Sequence, residues 1–125
     1  MENPLVSIVG DNDSVGWAVA RVIGSAGFRV LVFPSAEEFI VSGQIGSTAC
    51  LVVDLHLPGM GGLRLQRHLV AAGRHIPIVF IVSRADEKSR ARGIELGAVD
   101  VLDRSSGDEA LLKQIRVILK PMGQE

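Results

Sequence analysis

The chain has 125 residues, 47% of them hydrophobic and 22% charged, with a formal net charge of −1. That is enough apolar material for one compact core, too little length for two, and no global basic field with which to hold duplex nucleic acid. A single cysteine, Cys50, excludes an intrachain disulfide and points to a reducing, cytoplasmic setting, while the absence of a leader-like start or a spanning apolar stretch argues against secretion and membrane insertion.

In chain order, Leu5 to Val9 is a short β-branched run closed by Gly10 and Asp11, and reads as a strand buried on both faces. Asp13 suits a helix cap, after which Val15, Ala18, Val19, Val22, Ile23 and Ala26 recur at helical spacing until Gly27. Phe28 to Phe33 follows as a strand, Ser35 to about Ser42 as a helix stopped by Gly43, and Cys50 to Val53 as a further buried strand. Pro58 and Gly59 punctuate a loop, Leu63 to Val70 is helical, and Ile76 to Val82 is a strongly apolar strand. Asp86 to Leu96 is a helix ending at Gly97, Ala98 to Leu102 the last strand, and Asp108 to Leu119 the last helix, stopped by Pro121. Strands separated by helices need parallel crossovers, which predicts an α/β fold with a parallel sheet covered on both faces. Residues 1–120 then form one domain and 121–125 a short tail.

Open parallel sheets bind ligands beyond the carboxyl ends of their strands. Here those ends are Gly10-Asp11, Asp54, Ser83 and Asp103-Arg104. Neighbouring strands lie about 4.8 Å apart, so if strands one and three are adjacent the carboxylates of Asp11 and Asp54 share one small site and repel unless a cation intervenes. A hard ion such as Mg²⁺ takes one or two carboxylates plus phosphate oxygens. Ser83 can donate to a phosphoryl oxygen, Arg104 can pair with its charge, and an Asp can serve as the nucleophile.

The segment Val53-Asp54-Leu55-His56-Leu57-Pro58-Gly59-Met60-Gly61-Gly62 resembles the phosphorylated segment of response-regulator receiver domains. Ile81-Val82-Ser83, Leu96-Gly97-Ala98-Val99-Asp100 and Asp108-Glu109-Ala110-Leu111-Leu112 resemble the end of strand four, the entry to strand five and the start of the last helix in the same family. The likeness runs from Val6 to Leu119 and is closest to receivers that precede helix-turn-helix output domains. It implies a doubly wound, flavodoxin-like (βα)5 fold of strand order 2-1-3-4-5. It also implies that Asp54 accepts phosphate from a sensor histidine kinase or a histidine phosphotransfer protein, and that Asp11, Asp54 and the backbone carbonyl of His56 bind Mg²⁺. On this reading the chain is a signalling switch and not an enzyme acting on a separate substrate.

Three positions depart from the family. Gly10 stands where a second acid usually holds the metal through water, which lowers the expected Mg²⁺ affinity; Asn12 or Asp13 in the same turn could replace that oxygen. Arg104 followed by Ser105 stands where Lys-Pro is expected, and a planar guanidinium is not a flexible ammonium. Val101 occupies the aromatic switch position of strand five. These departures suit an alternative function, a phosphate-independent interaction module. A nucleotide-binding enzyme is disfavoured, because neither of the glycine-rich phosphate-loop patterns follows strand one. Trp17 lies off the apolar stripe of the first helix, near where phosphotransfer partners dock in the family, and is a candidate contact residue. Self-association through helix faces is compatible with the architecture. Cys50 reads as a small buried hydrophobe, and His56, His68 and His75 are too scattered for a zinc site.

Overall fold

A computed structural model describes residues 4–10, 15–54, 62–82, 88, 91, 94, 95, 100–103 and 107–119; the side chains of 15–17, 62, 63, 82 and 100 fall outside that description. The chain alternates β1 (Leu5–Val9), α1 (Val15–Ser25), β2 (Arg29–Phe33), α2 (Ala36–Val41), β3 (Cys50–Asp54), α3 (Gly62–Ala71), β4 (Ile78–Val82) and β5 (Asp100–Asp103), and closes with the last helix, Asp108–Leu119. Lys88, Ala91, Ile94 and Glu95 are helical within the stretch predicted as a helix over 86–96. The five strands form one parallel sheet in the order β2-β1-β3-β4-β5, as expected.

Alternation along the interior strands divides the core in two. Val9, Leu51, Val53, Phe80 and Val101 face α2 and α3, meeting Ala36, Phe39, Leu65 and Leu69. Val6, Ile8, Cys50, Val52 and Ile81 face α1 and the last helix, meeting Val19, Ile23, Leu111 and Ile115. With both faces covered, β1 is buried along its whole length, which is why it reads as a continuous apolar run. The edge strand β2 is paired on one side only, and its residues are exposed or half-buried, Val30 and Val32 packing on one core cluster and Phe33 on the other.

Element ends follow local chemistry. Ser35 sits just outside α2 in extended conformation and its Oγ accepts from the Glu38 amide at 3.1 Å, so this serine caps the helix and is not part of it. Gly27 and Gly43 follow α1 and α2 with φ of +99° and +81°, the left-handed conformation that ends a helix at little cost to glycine. The strand expected from Ile76 begins at Ile78: Pro77 has no N–H to give, and its carbonyl accepts from the Leu51 amide at 2.9 Å. The last strand runs Asp100–Asp103; Ala98 and Val99, the first residues of the strand expected there, lie outside the described residues. A short 3-10 helix, Ile45–Ser47, lies between α2 and β3. It delivers Thr48, whose hydroxyl lies 2.7 Å from the buried Ser7 hydroxyl and donates to the Gln44 carbonyl at 2.7 Å, so a polar pair inside the sheet is satisfied.

Cys50 is a fully buried free cysteine, and burial pushes its thiol up from 9.0 to about 12. A raised folded-state value keeps this contribution to stability intact below the unfolded value and erodes it as pH climbs from about 9 towards 12, by an amount on the order of a few kcal/mol at the top of that window. Denaturant titrations in steps across this range should show wild type losing stability faster than Cys50→Ala; parallel losses would contradict the assignment.

Candidate functional site

The strand register decides which residues meet at the carboxyl edge of the sheet. Val9 of β1 stands opposite Val53 of β3, and Asp54 stands opposite Ile81 of β4, which in turn stands opposite Leu102 of β5. Gly10, directly after Val9, continues the outer ladder by donating its N–H to the Phe33 carbonyl at 2.9 Å. Thus β1 and β3 are neighbours, the condition on which a shared site of Asp11 and Asp54 rested. The residues immediately preceding Asp11, Ser83 and Arg104, namely Gly10, Val82 and Asp103, all lie at this same edge. Asp11, His56, Ser83 and Arg104 themselves lie outside the described residues.

Asp54 is the last residue of β3, one position later than the apolar run that flagged the strand. Cys50 to Val53 are buried, whereas Asp54 is half-buried. None of the interior strands β1, β3 and β4 carries another carboxylate. A charge held in mid-strand would lose its hydration without compensation, while at the strand end it keeps access to water and to a ligand. Asp103 ends β5 opposite Val82, one rung further on and two strands away from Asp54. Two strand spacings amount to about 10 Å, too far for both carboxylates to ligate one small ion.

Val101 is fully buried opposite Phe80, within the cluster beneath α2 and α3. Trp17 falls within α1, though its side chain is outside the description. Beside it, Ala18, Arg21, Val22 and Ser25 form with Asp108 an open groove of about 450 Å³ between α1 and the last helix. Among the described residues no group of three or more His, Cys, Asp or Glu could hold a metal by itself. None of the described helices is long and apolar enough to cross a membrane.

A family model for the response regulator receiver domain matches residues 6–116. Among curated proteins, the response regulator protein TmoT of Ectopseudomonas mendocina is 35% identical over 99% of this chain and 56% of its own length. Nodulation protein W of Bradyrhizobium diazoefficiens is 36% identical over 89% of the chain and 49% of its own. The chain therefore spans about half the length of these relatives. Among solved structures, the response regulator StyR superposes with a TM-score of 0.84 at 36% identity, covering 94% of this chain and 60% of that one. The structure called FixJ-N superposes with a TM-score of 0.83 at 28% identity, covering 99% of this chain and all of that one, 100%.

Proposed function

Because the chain belongs to the response regulator receiver domain family of two-component signalling, we propose that Asp54 is its phosphoryl acceptor. The observation that carries this is a half-buried carboxylate closing the central, otherwise buried strand of the sheet, at the edge where a parallel α/β sheet takes its ligand. Receiver domains signal and do not act on a separate substrate, and their partners are histidine kinases or phosphotransfer proteins.

The chemistry asks little of the fold beyond placement. A carboxylate oxygen of Asp54 attacks phosphorus, an O–P bond forms as the donor's P–N bond breaks, and the histidine leaves with the electron pair. Ser83 donates to a phosphoryl oxygen and Arg104 pairs with the added charge. Family receivers typically bind Mg²⁺ at this place. A hard ion that takes only one or two protein carboxylates fits the chemistry of a half-buried aspartate at a strand end. Asp54, Asp11 and the His56 carbonyl would hold it, and when bound it neutralises charge between the anionic acceptor and the anionic donor. With Val101 in the core, no aromatic ring is available at that position to follow the phosphate. Trp17 and the groove beside it form the proposed contact for the phosphodonor protein. Residues 1–120 are taken as the receiver unit, with 121–125 as a tail, and control of transcription is the proposed output.

The test is intact-protein mass after incubation with a small phosphodonor such as acetyl phosphate, with and without Mg²⁺, followed by borohydride reduction and peptide mapping. One Mg²⁺-dependent phosphate, converted to homoserine at position 54, is the expected result. A folded chain that takes up none, and whose partner binding ignores the phosphodonor, would instead be a phosphate-independent interaction module.

Gly10 makes a second outcome measurable. Its amide is committed to Phe33, and it brings no side-chain oxygen to the edge. Gly10→Asp is expected to tighten Mg²⁺ binding by about tenfold in calorimetric titration, the scale of a supporting ligand. Unchanged affinity would remove Gly10 as the weak point of the site.

A further inference from the structure

The helices α2 and α3 lie side by side on one face of the sheet and share one core cluster, α2 through Ala36 and Phe39 and α3 through Leu65 and Leu69. Their outer faces carry opposite charge. On α2, Glu37, Glu38 and Val41 are exposed, Val41 to 81%. On α3, Arg64, Arg67, His68, Val70 and Ala71 are exposed, Val70 to 52%. No acidic residue occurs anywhere between Asp54 and Asp86, whereas Arg64, Arg67 and Arg74 and all three histidines do, so the basic face is unmixed in a chain whose net charge is −1.

The spacing of the two faces matches. Glu38 and Val41 are three residues apart, as are Arg67 and Val70, so each helix presents a charge and, one turn further from the carboxyl edge of the sheet, an exposed valine. Beside that valine on α3 lies a groove of about 270 Å³ lined by Gln66, Arg67, Val70 and Ala71. Both helices run in the same direction, each following a strand of one parallel sheet. A two-fold axis parallel to them and passing between them lays α2 of one copy over α3 of the other, and α3 over α2, so that each acidic outer face meets a basic one. We propose that the α2–α3 face is a self-complementary docking surface for a second copy of this chain. The partner copy seats its Val41 in the groove beside Val70, and sets its Glu37 and Glu38 against Arg64 and Arg67. Every contact occurs twice, so a surface too small to hold a dissimilar partner gains a second set of the same pairs. Exposed ion pairs are individually weak and screened by salt, which makes the association concentration-dependent and salt-sensitive.

The test is sedimentation velocity of the chain over a concentration series at low and high salt, with Arg64→Glu/Arg67→Glu, with Glu37→Lys/Glu38→Lys, and with an equimolar mixture of the two variants. All four positions are exposed, and circular dichroism confirms that each variant is folded. Wild type should dimerise at low salt and weaken by about tenfold or more at high salt. Each variant alone, carrying one sign of charge on both helices, should be monomeric. The mixture should dimerise again, because each acidic α3 then meets a basic α2. A wild-type chain that stays monomeric into the millimolar range, a dimer that survives both double substitutions, or a mixture that fails to recover would each overturn the proposal. Binding of an added acidic peptide by an otherwise monomeric wild type would assign the α3 face to a different partner and overturn it as well.

Discussion

Asp54→Asn is expected to incorporate no phosphate from acetyl phosphate under conditions in which wild type acquires one. The substitution replaces an anionic nucleophile by an amide of nearly the same shape, so chemistry and structure separate cleanly. Asp54 is half-buried at a strand end, and its backbone stays paired with β4 whatever the side chain. Stability should therefore move by no more than about 1 kcal/mol, read as a small change in urea midpoint. Mg²⁺ affinity should fall with the label, since the same carboxylate is a proposed ligand. A variant that remains folded and still carries phosphate would place the acceptor elsewhere and end the assignment. Simultaneous loss of fold would show as a collapsed urea transition, so the two failures are told apart in one set of samples.

Phe80→Ala should be the costliest of the core substitutions considered, at about 3–5 kcal/mol. Phe80 sits in the middle of β4, fully buried, with Val53 beside it on β3 and Val101 beside it on β5. Truncation removes the ring from the centre of the cluster under α2 and α3, and a sheet hydrogen-bonded on both sides of β4 cannot close the gap. Domains of this size are stable by about 5–15 kcal/mol in total, so a large fraction of the folded population is at stake. Val117→Ala, at a position 63% exposed, should cost less than about 0.5 kcal/mol and serves as the control. Equal urea midpoints for the two variants would contradict the packing described for this face.

The interior strands were the most legible part of the sequence, because burial on both faces leaves an unbroken apolar run at β1 and β3. Legibility failed where local chemistry and burial disagree. Ile76 packs against the core and so looked like strand, yet Pro77 beside it cannot donate to a ladder. The edge strand β5 carries aspartates at Asp100 and Asp103, which are poor strand formers, so the apolar pattern marked Leu102 as its last residue although the strand includes Asp103. The 3-10 turn is three residues long, shorter than any periodicity can reveal, and the Ser7–Thr48 pair it enables joins residues 41 positions apart. At the site, Asp54 could be found as the charge that terminates an apolar run. The adjacency of β1 and β3, by contrast, is a property of strand order, which spacing alone does not give. Asp11, Ser83 and Arg104 follow residues placed at that edge, and the roles proposed for them and for His56 rest on chemistry and resemblance.

One rung below Asp54, Val9, Val53, Phe80 and Val101 stand in a line across four adjacent strands, none of them accessible to solvent. Their side chains all enter the same cluster. Close-packed interiors resist compression, and central strands are the last parts of a domain to open, so this row is a stiff floor under the proposed acceptor. A charge gained at Asp54 has little prospect of being transmitted downward by bending the sheet. The floor would keep a local gain in charge from being dissipated as a general loosening of the molecule.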